Sequence, residues 1–377
     1  MDKENKRILF ISNGNGEDSI SAAIIKEIPK ELLVDAFPVI GFGSAYKGVC
    51  NIVGPVMHIP SEGHRKAGSI AKDIKGGMLS GTWRTIKFLR SIKGKYDKII
   101  AIGDSVVPIL CTLAGIKIDI YLDVYKNGYA HKYLKIERWA IKKSCKKTYC
   151  RDDVLAASLR KHKINAISKG NIMIDIIPFG EYDVSLHRSK KTAVTLLPGS
   201  RKTVARNLKL QVEAIKNLPK KLYPDIFIAV ARNISVEELA KATSMKYHGA
   251  ISKQASDLGY LSDGELKLNL TSDVAGNIIK ASDMVLSQAG TLTQQALGMG
   301  KPVISFIEAQ DRQKRIDDRK KLTAQSHIFV RQDVDELAQT MKGLLGDKKQ
   351  RDRMGEIGKS RIGSTGTLAA IIADISA

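Results

Sequence analysis

Arg7-Ile8-Leu9-Phe10-Ile11-Ser12-Asn13-Gly14-Asn15-Gly16-Glu17-Asp18-Ser19 is the stretch on which the fold turns. A continuous apolar run, Arg7–Ser12, runs into a glycine-rich turn, and helical periodicity follows over about Asp18–Ile28. An unbroken apolar strand of this kind is buried on both faces, which is the mark of a parallel sheet covered by helices. Glycines let the turn bend sharply and approach a ligand closely. The next helix would offer free N–H groups to a polar or anionic group. The turn is not a dinucleotide fingerprint, because Ser19 occupies the third glycine position and Glu17-Asp18 would repel a pyrophosphate. Asn13, Gly14, Asn15, Gly16, Glu17 and Asp18 therefore read as a loop for a polar acceptor, with an ordinary turn capped by Asp18 as the plainer reading.

The same grammar continues along the chain. Lys98–Gly103 reads as a strand followed by a helix over about Val106–Ala114; Lys117–Leu122 and Thr148–Cys150 are further strands, with a helix near Lys135–Lys143 between them. The pattern restarts at Thr192–Leu197, turns at Pro198-Gly199-Ser200, and continues with a helix over about Thr203–Asn217. Asp225–Val230, Met284–Ser287 and Pro302–Phe306 follow as strands, with a helix near Leu292–Gly298. A chain of 377 residues exceeds what one core usually holds, and two α/β units account for it. The expected division is 1–175, 176–360 and a last helix within 361–377.

Three strand ends carry candidate chemistry. Asp104 follows Gly103 where open parallel sheets bind ligands. A carboxylate there can serve as general base toward a hydroxyl, or simply cap the next helix; the residue types leave both open. Gly199, Ser200 and Arg201 open the second unit with backbone N–H groups, a hydroxyl and a planar guanidinium suited to phosphate oxygens. Ala289, Gly290 and Thr291 would bring a diphosphate to a helix N-terminus, and Gln294 or Gln295 would reach a ribose hydroxyl.

Net charge is +22, with +13 in residues 1–180 (30 Lys+Arg against 17 Asp+Glu) and +9 in the remainder, so attraction to something anionic is built into both halves. In Met78–Ile92, one helical stripe holds Leu79, Trp83, Ile86 and Leu89, with Phe88 and Ile92 less regular; another holds Arg84, Lys87 and Arg90. Such a helix can lie on an anionic bilayer or pack on its own domain. His64 sits in a loop open to two readings, one facing the cleft and the plainer one simply exposed. No basic–aromatic nucleic-acid module is evident, so no nucleic-acid partner is expected. No cysteine or histidine spacing suggests a metal site. Ile8–Ile11 is too short for a signal-peptide core, which points to a cytoplasmic protein.

Taken in order, these motifs resemble the two-Rossmann GT-B glycosyltransferases, and among them the lipid-A-disaccharide synthase family and its synthase-related group. Ser12–Asp18 looks like that group's S-N-G-H-G-E-D, and Ile102-Gly103-Asp104 like its strand-end G-D. Leu197–Arg201 is similar to L-P-G-S-R, and Gly290-Thr291…Gln295 with Gly300-Lys301-Pro302 to the donor segment. Gly170–Asp175 resembles the inter-domain G-N/H-P-M-x-D. The resemblance implies two Rossmann-like parallel-sheet domains facing a central cleft, and no cofactor, a UDP-sugar being the co-substrate. It implies metal-independent inverting transfer to a lipid-linked or other membrane-associated hydroxyl, on a protein peripheral to the inner membrane face. Asp104 would be the base, Arg201, Gly290 and Thr291 would hold the diphosphate, and Gln295 the ribose. Asn15 replaces the group's His, Ile172 its Pro, and Gln294-Gln295 its ribose carboxylate. The alternatives are a nucleotide-sugar epimerase on the same scaffold and a catalytically silent GT-B binding protein.

Overall fold

The computed structural model describes residues 6–57, 78–199, 203–231, 233–309 and 311–377, with the side chains of residues 15, 78 and 79 left aside. The chain forms two compact units, Met1–Ile176 with Thr365–Ala377, and Ile177–Ser364.

The first unit is built on a seven-stranded sheet of order β3-β2-β1-β4-β5-β6-β7, with every pairing parallel. Its strands are β1 (Arg7–Ser12), β2 (Leu33–Pro38), β3 (Asn51–Ile52), β4 (Lys98–Gly103), β5 (Ile118–Asp123), β6 (Cys145–Cys150) and β7 (Ala166–Ser168). The order reverses between β1 and β4, which makes their carboxyl ends the switch point of the sheet. Helices cover both faces. On one, Ile86, Leu89, Val107, Leu110 and Ile141 pack against Leu9, Ile11 and Ala101. On the other, Ile20, Ile24, Ile371 and Ile375 pack against Ile8, Phe10, Ile100 and Ile102. Alternate residues of β1 and β4 thus feed opposite cores, which is why both strands read as unbroken apolar runs. The helix Thr367–Ser376 is tied down by polar groups as well: Lys98 Nζ donates to the carbonyls of Asp374 and Ile375 at its C-terminus, and Lys147 and Tyr149 reach the Asp374 carboxylate.

The helix expected over Met78–Ile92 spans Met78–Ser91, but its stripe divides differently. Ile86, Leu89 and Ile92 are buried, whereas Trp83 is 64% exposed and stands with Arg84, Lys87 and Arg90. At ~100° per residue, Trp83 lies about 40° from Lys87 and about 120° from Leu89, so the core selects the leucine side. Leu79 falls outside the described side chains.

The second unit holds an eight-stranded sheet of order β10-β11-β12-β9-β8-β13-β14-β15. Its strands are β8 (Ala193–Leu197), β9 (Asp225–Ala229), β10 (Lys246–His248), β11 (Asp257–Ser262), β12 (Lys267–Thr271), β13 (Met284–Ser287), β14 (Val303–Ile307) and β15 (His327–Arg331). β10-β11 and β11-β12 pair antiparallel and the remainder parallel. The exception has a local cause: Asp263 Oδ1 accepts from the backbone N–H groups of Glu265 and Leu266, and Gly264 takes φ +86°, closing a tight hairpin. Here the order reverses between β8 and β13, so this unit has a switch point of its own. Among the described residues, no helix is long and apolar enough to cross a membrane.

Candidate functional site

At the first unit's switch point the residues after β1 and β4 meet. Asn13 Nδ2 donates to Asp104 Oδ1 at 2.7 Å, and the same oxygen accepts from the backbone N–H of Val106 at 2.9 Å. Asp104 therefore does contribute to the start of the helix Val106–Ala114, as the plainer reading has it. Its Oδ2 makes no hydrogen bond among the described residues and remains available. Gly103 permits the approach: it takes φ +138°, and a Cβ on it would lie 3.3 Å from both Asn13 Cβ and Glu17 Cγ. Three of the sequence candidates, Asn13, Glu17 and Asp104, thus share one crevice.

Asp18 does not belong to that loop surface. The helix begins at Asn15, with Gly14 as N-cap, which places Asp18 one turn inside and 1% exposed. It is not the cap. Ser12 Oγ donates to Asp18 Oδ1 at 2.5 Å and lies 2.5 Å from Tyr46 OH. With the serine proton on Asp18, Tyr46 is left to donate to Ser12. Burial pushes the Asp18 carboxyl up to about 6 despite that hydrogen bond, and also raises the Tyr46 phenol.

One strand further, β5 ends in Asp123, fully buried. Tyr133 OH donates to its Oδ2, and the N–H groups of Tyr125 and Lys126 donate to its Oδ1 at 2.8 and 2.9 Å. Burial raises this carboxyl to about 6, opposed chiefly by the Tyr133 hydrogen bond. Tyr121 OH donates to the Gly103 carbonyl at 3.2 Å and stands 3.3 Å from Tyr133 OH. The network braces the peptide that leads into Asp104. Tyr46, Tyr121, Asp123 and Tyr133 escaped the sequence reading; only Asp123, a carboxylate at a strand end like Asp104, carried a readable signal.

In the second unit, Gln288 N–H donates to the Leu197 carbonyl at 2.8 Å, which draws together the loops after β8 and β13. Gly199 has φ +100°, and its missing Cβ would sit 3.6 Å from the Gln288 carbonyl oxygen. Ser287 and Thr293 share a 2.6 Å hydrogen bond, and Thr293 donates to the Ala289 carbonyl at 2.6 Å, fixing the turn. Gly290 caps the helix Thr291–Gly298, is exposed, and no described residue lies within 4 Å of where its Cβ would be. Gln294 is half-buried and Gln295 buried. Ser200, Arg201 and His64 lie outside the described residues. Among the described residues, no group of three or more His, Cys, Asp or Glu could hold a metal ion.

No protein-family model matches the chain, and no curated protein matches it. Solved structures do. MurG of Acinetobacter baumannii is 14% identical with TM-score 0.60, over 98% of this chain and 99% of that one. The UDP-GlcNAc 2-epimerase of Neisseria meningitidis, solved bound to UDP-GlcNAc, is 13% identical with TM-score 0.54, over 98% of this chain and 99% of that one. S. aureus MnaA, solved with UDP, is 14% identical with TM-score 0.54, over 98% of this chain and 95% of that one.

The fold is GT-B. As in that class, each unit is a Rossmann-like α/β layer with its own switch point, β1/β4 in one and β8/β13 in the other. The GT-B assignment bears out the fold expected from the sequence. The sequence reading did not contain β2, β3, β7, β15 or the antiparallel β10–β12 extension.

Proposed function

We propose that this chain is a glycosyltransferase that moves a sugar from a UDP-sugar to a hydroxyl of a lipid-linked or other membrane-associated acceptor, in the manner of the lipid-A-disaccharide synthase-related group. The observation that carries this reading is the Asn13–Asp104 pair at the β1/β4 switch point, which holds one carboxylate oxygen and leaves the other without a hydrogen bond among the described residues. In the reaction, a lone pair of the acceptor hydroxyl oxygen forms a bond to the anomeric carbon while Asp104 Oδ2 takes the hydroxyl proton. The bond from that carbon to the diphosphate oxygen breaks on the opposite face, and its electron pair leaves on UDP, so the configuration inverts. The charge that develops on the diphosphate is met by the backbone N–H groups at Gly290 and Thr291 and by the Arg201 guanidinium, without a metal ion. The open space at Gly290 suits a group as bulky as a diphosphate. Gln294 or Gln295 takes the ribose.

Association with an anionic membrane face fits the exposed Trp83 beside Arg84, Lys87 and Arg90. Trp139, 47% exposed with Lys143 Nζ 5.3 Å from its ring centroid, adds a second basic aromatic position. A second reading, a UDP-GlcNAc 2-epimerase, is favoured by the epimerases among the similar structures.

Calorimetric titration with UDP and UDP-GlcNAc, without added metal, tests the donor site. Saturable binding that is lost in Arg201→Ala is expected, and no binding of any nucleotide-sugar would overturn the enzyme reading in favour of a silent scaffold. Incubating UDP-GlcNAc with the protein alone separates the two enzymes: a donor epimerised without any acceptor would establish the second.

A further inference from the structure

The second unit holds a cavity at the amino ends of β8, β9 and β12, the end of the sheet away from its switch point. The cavity measures about 560 Å³ and is lined from residues 186–190, 220–225 and 262–269, the segments that lead into those strands. That volume is within the range of small-molecule sites.

Its charges do not balance. Asp225 Oδ2 accepts from the backbone N–H groups of Ser189 and Lys190 at 2.9 and 2.8 Å and pairs with Arg188 Nε at 3.1 Å. Glu265 pairs with Lys220 Nζ at 3.0 Å. Each lining carboxylate thus has its own lining cation. Lys190 and Lys267 line the cavity as well, and neither makes an ion pair among the described residues. Lys267 Nζ stands instead 4.6 Å from the centroid of the Tyr260 ring. Two unneutralised ammonium groups match the charge of a phosphate monoester, which is about −1.5 to −2 at pH 7.

Two lining residues have unmet hydrogen bonds. His187 is 5% and Asn269 2% exposed. Neither ring nitrogen of His187 makes a hydrogen bond among the described residues, nor does Asn269 Oδ1. Asp257 Oδ2 is 3.6 Å from His187 Nε2, beyond hydrogen-bond range. The Tyr182 ring stacks on the imidazole with centroids 4.9 Å apart, which fixes its plane. Burial lowers the pKa of His187, so near pH 7 the ring is neutral and carries one N–H and one lone pair. Asn269 Oδ1 adds an acceptor. Buried polar groups are almost always bonded, so this set calls for a partner outside the chain. Hydroxyl groups, which donate and accept, satisfy it; a bare anion can meet only the N–H. Lys267 stands two residues before Asn269 on β12, hence on the same face and about 7 Å along the strand, a distance that a hexose phosphate spans.

We infer that this cavity binds a small phosphorylated polyol of the sugar-phosphate class, with the phosphate at Lys190 and Lys267 and hydroxyls on His187 and Asn269. β8 and β9 are five residues long, so about 16 Å of strand separates the cavity from the β8/β13 switch point. It is a second ligand site, and it does not rest on the glycosyltransferase reading.

The test is calorimetric titration of the full chain with glucose 6-phosphate, with and without excess UDP. Saturable binding is expected in both, at least about tenfold tighter than that of inorganic phosphate or glucose. Lys190→Ala with Lys267→Ala should weaken it about tenfold or more. Both lysines are exposed, so this variant keeps the fold, and an unchanged thermal midpoint checks it. The His187 ring ¹⁵N resonances, identified by their loss in His187→Gln, should shift with glucose 6-phosphate and stay in place with inorganic phosphate. No binding would make the cavity a water-filled hollow and overturn the inference. Undiminished binding in the double variant, or equal affinity for inorganic phosphate, would overturn it too. Binding abolished by UDP would move the sugar phosphate to the donor site and leave this cavity without a ligand.

Discussion

Asn13 and Asp104, 91 residues apart in sequence, are joined by a 2.7 Å hydrogen bond from the Asn13 amide to Asp104 Oδ1. The bond spans the gap between the carboxyl ends of β1 and β4, where a Cβ on Gly103 would lie 3.3 Å from Asn13 Cβ. It gives one carboxylate oxygen a structural part. Oδ1 is shared between Asn13 and the helix start at Val106, and Oδ2 has no hydrogen-bond partner among the described residues.

Asp104→Asn should therefore remove the base while keeping the scaffold, since an amide oxygen still accepts from Val106. The expected loss in kcat is about 10²- to 10⁴-fold, the usual worth of a positioned base, with UDP affinity within about twofold of wild type. Steady-state kinetics and UDP calorimetry on one preparation check this. Full activity in Asp104→Asn would reduce Asp104 to a helix cap.

The glycines of the second unit's crevice separate a backbone role from a ligand role. Gly290 has φ −86° and empty space at its Cβ position, so Gly290→Ala should change stability by less than about 0.5 kcal/mol while placing a methyl where the diphosphate would sit. Its expected signature is an unchanged thermal midpoint with UDP binding weakened about tenfold or more. Gly199 sits at φ +100°, and Gly199→Ala should cost about 1–2 kcal/mol of stability through the backbone alone. Equal effects of the two substitutions on UDP affinity, with no difference in thermal midpoint, would contradict this assignment.

How much of this was legible in the sequence depended on burial. β1, β4 and β8 feed cores on both faces, so RILFIS, KIIAIG and AVTLL read as strands at sight. β2 contains Asp35, which bonds Arg7, Asn51 and Tyr96 and breaks the apolar run. β3 is two exposed residues without a pattern, and in β11 buried and half-buried residues alternate, as suits an antiparallel arm. The site was legible where it lay on turns: Asn13, Gly14 and Asp104 stood out by residue type. Tyr46 and Tyr133 could not stand out, because their meaning comes from partners, Ser12 and Asp123, that only folding brings near. Asp18 read as part of the acceptor loop, or more plainly as a cap, because helix starts are weakly encoded; a start at Asn15 turned it into the core instead.

The buried Asp18 makes a prediction about pH. Its folded pKa, about 6, lies above the ordinary value of 3.8 because burial disfavours the charge. A carboxyl raised in this way supports the fold only while protonated. Its contribution is complete below about pH 4, is lost as pH rises to about 6, and above that leaves a charge penalty of about 3 kcal/mol. Asp18→Asn, which still accepts from Ser12, should raise the thermal midpoint at pH 8 and bring little change at pH 4. Asp123 titrates in the same window but is present in both proteins and cancels from the difference. A stabilisation equal at both pH values would show that Asp18 is not the titrating group.

The helix Met78–Ser91 has two faces that substitutions should tell apart. Leu89, fully buried against the first unit's sheet, belongs to the core, and Leu89→Ala should cost about 2–5 kcal/mol by leaving a cavity. Trp83, Arg84 and Lys87 are exposed, so Trp83→Ser with Arg84→Glu and Lys87→Glu should leave the thermal midpoint nearly unaltered. If this face rests on an anionic bilayer, the triple variant loses the inserted ring and reverses two charges that each contribute about 1 kcal/mol near such a surface. Co-sedimentation with phosphatidylglycerol-containing vesicles should then fall at least about tenfold, and wild-type binding should weaken as salt shortens the screening length. Binding to neutral vesicles should be weak in both proteins. Undiminished sedimentation of the triple variant would assign Trp83 to an ordinary solvent-exposed position and move the search for a membrane contact to Trp139 and its neighbouring lysines.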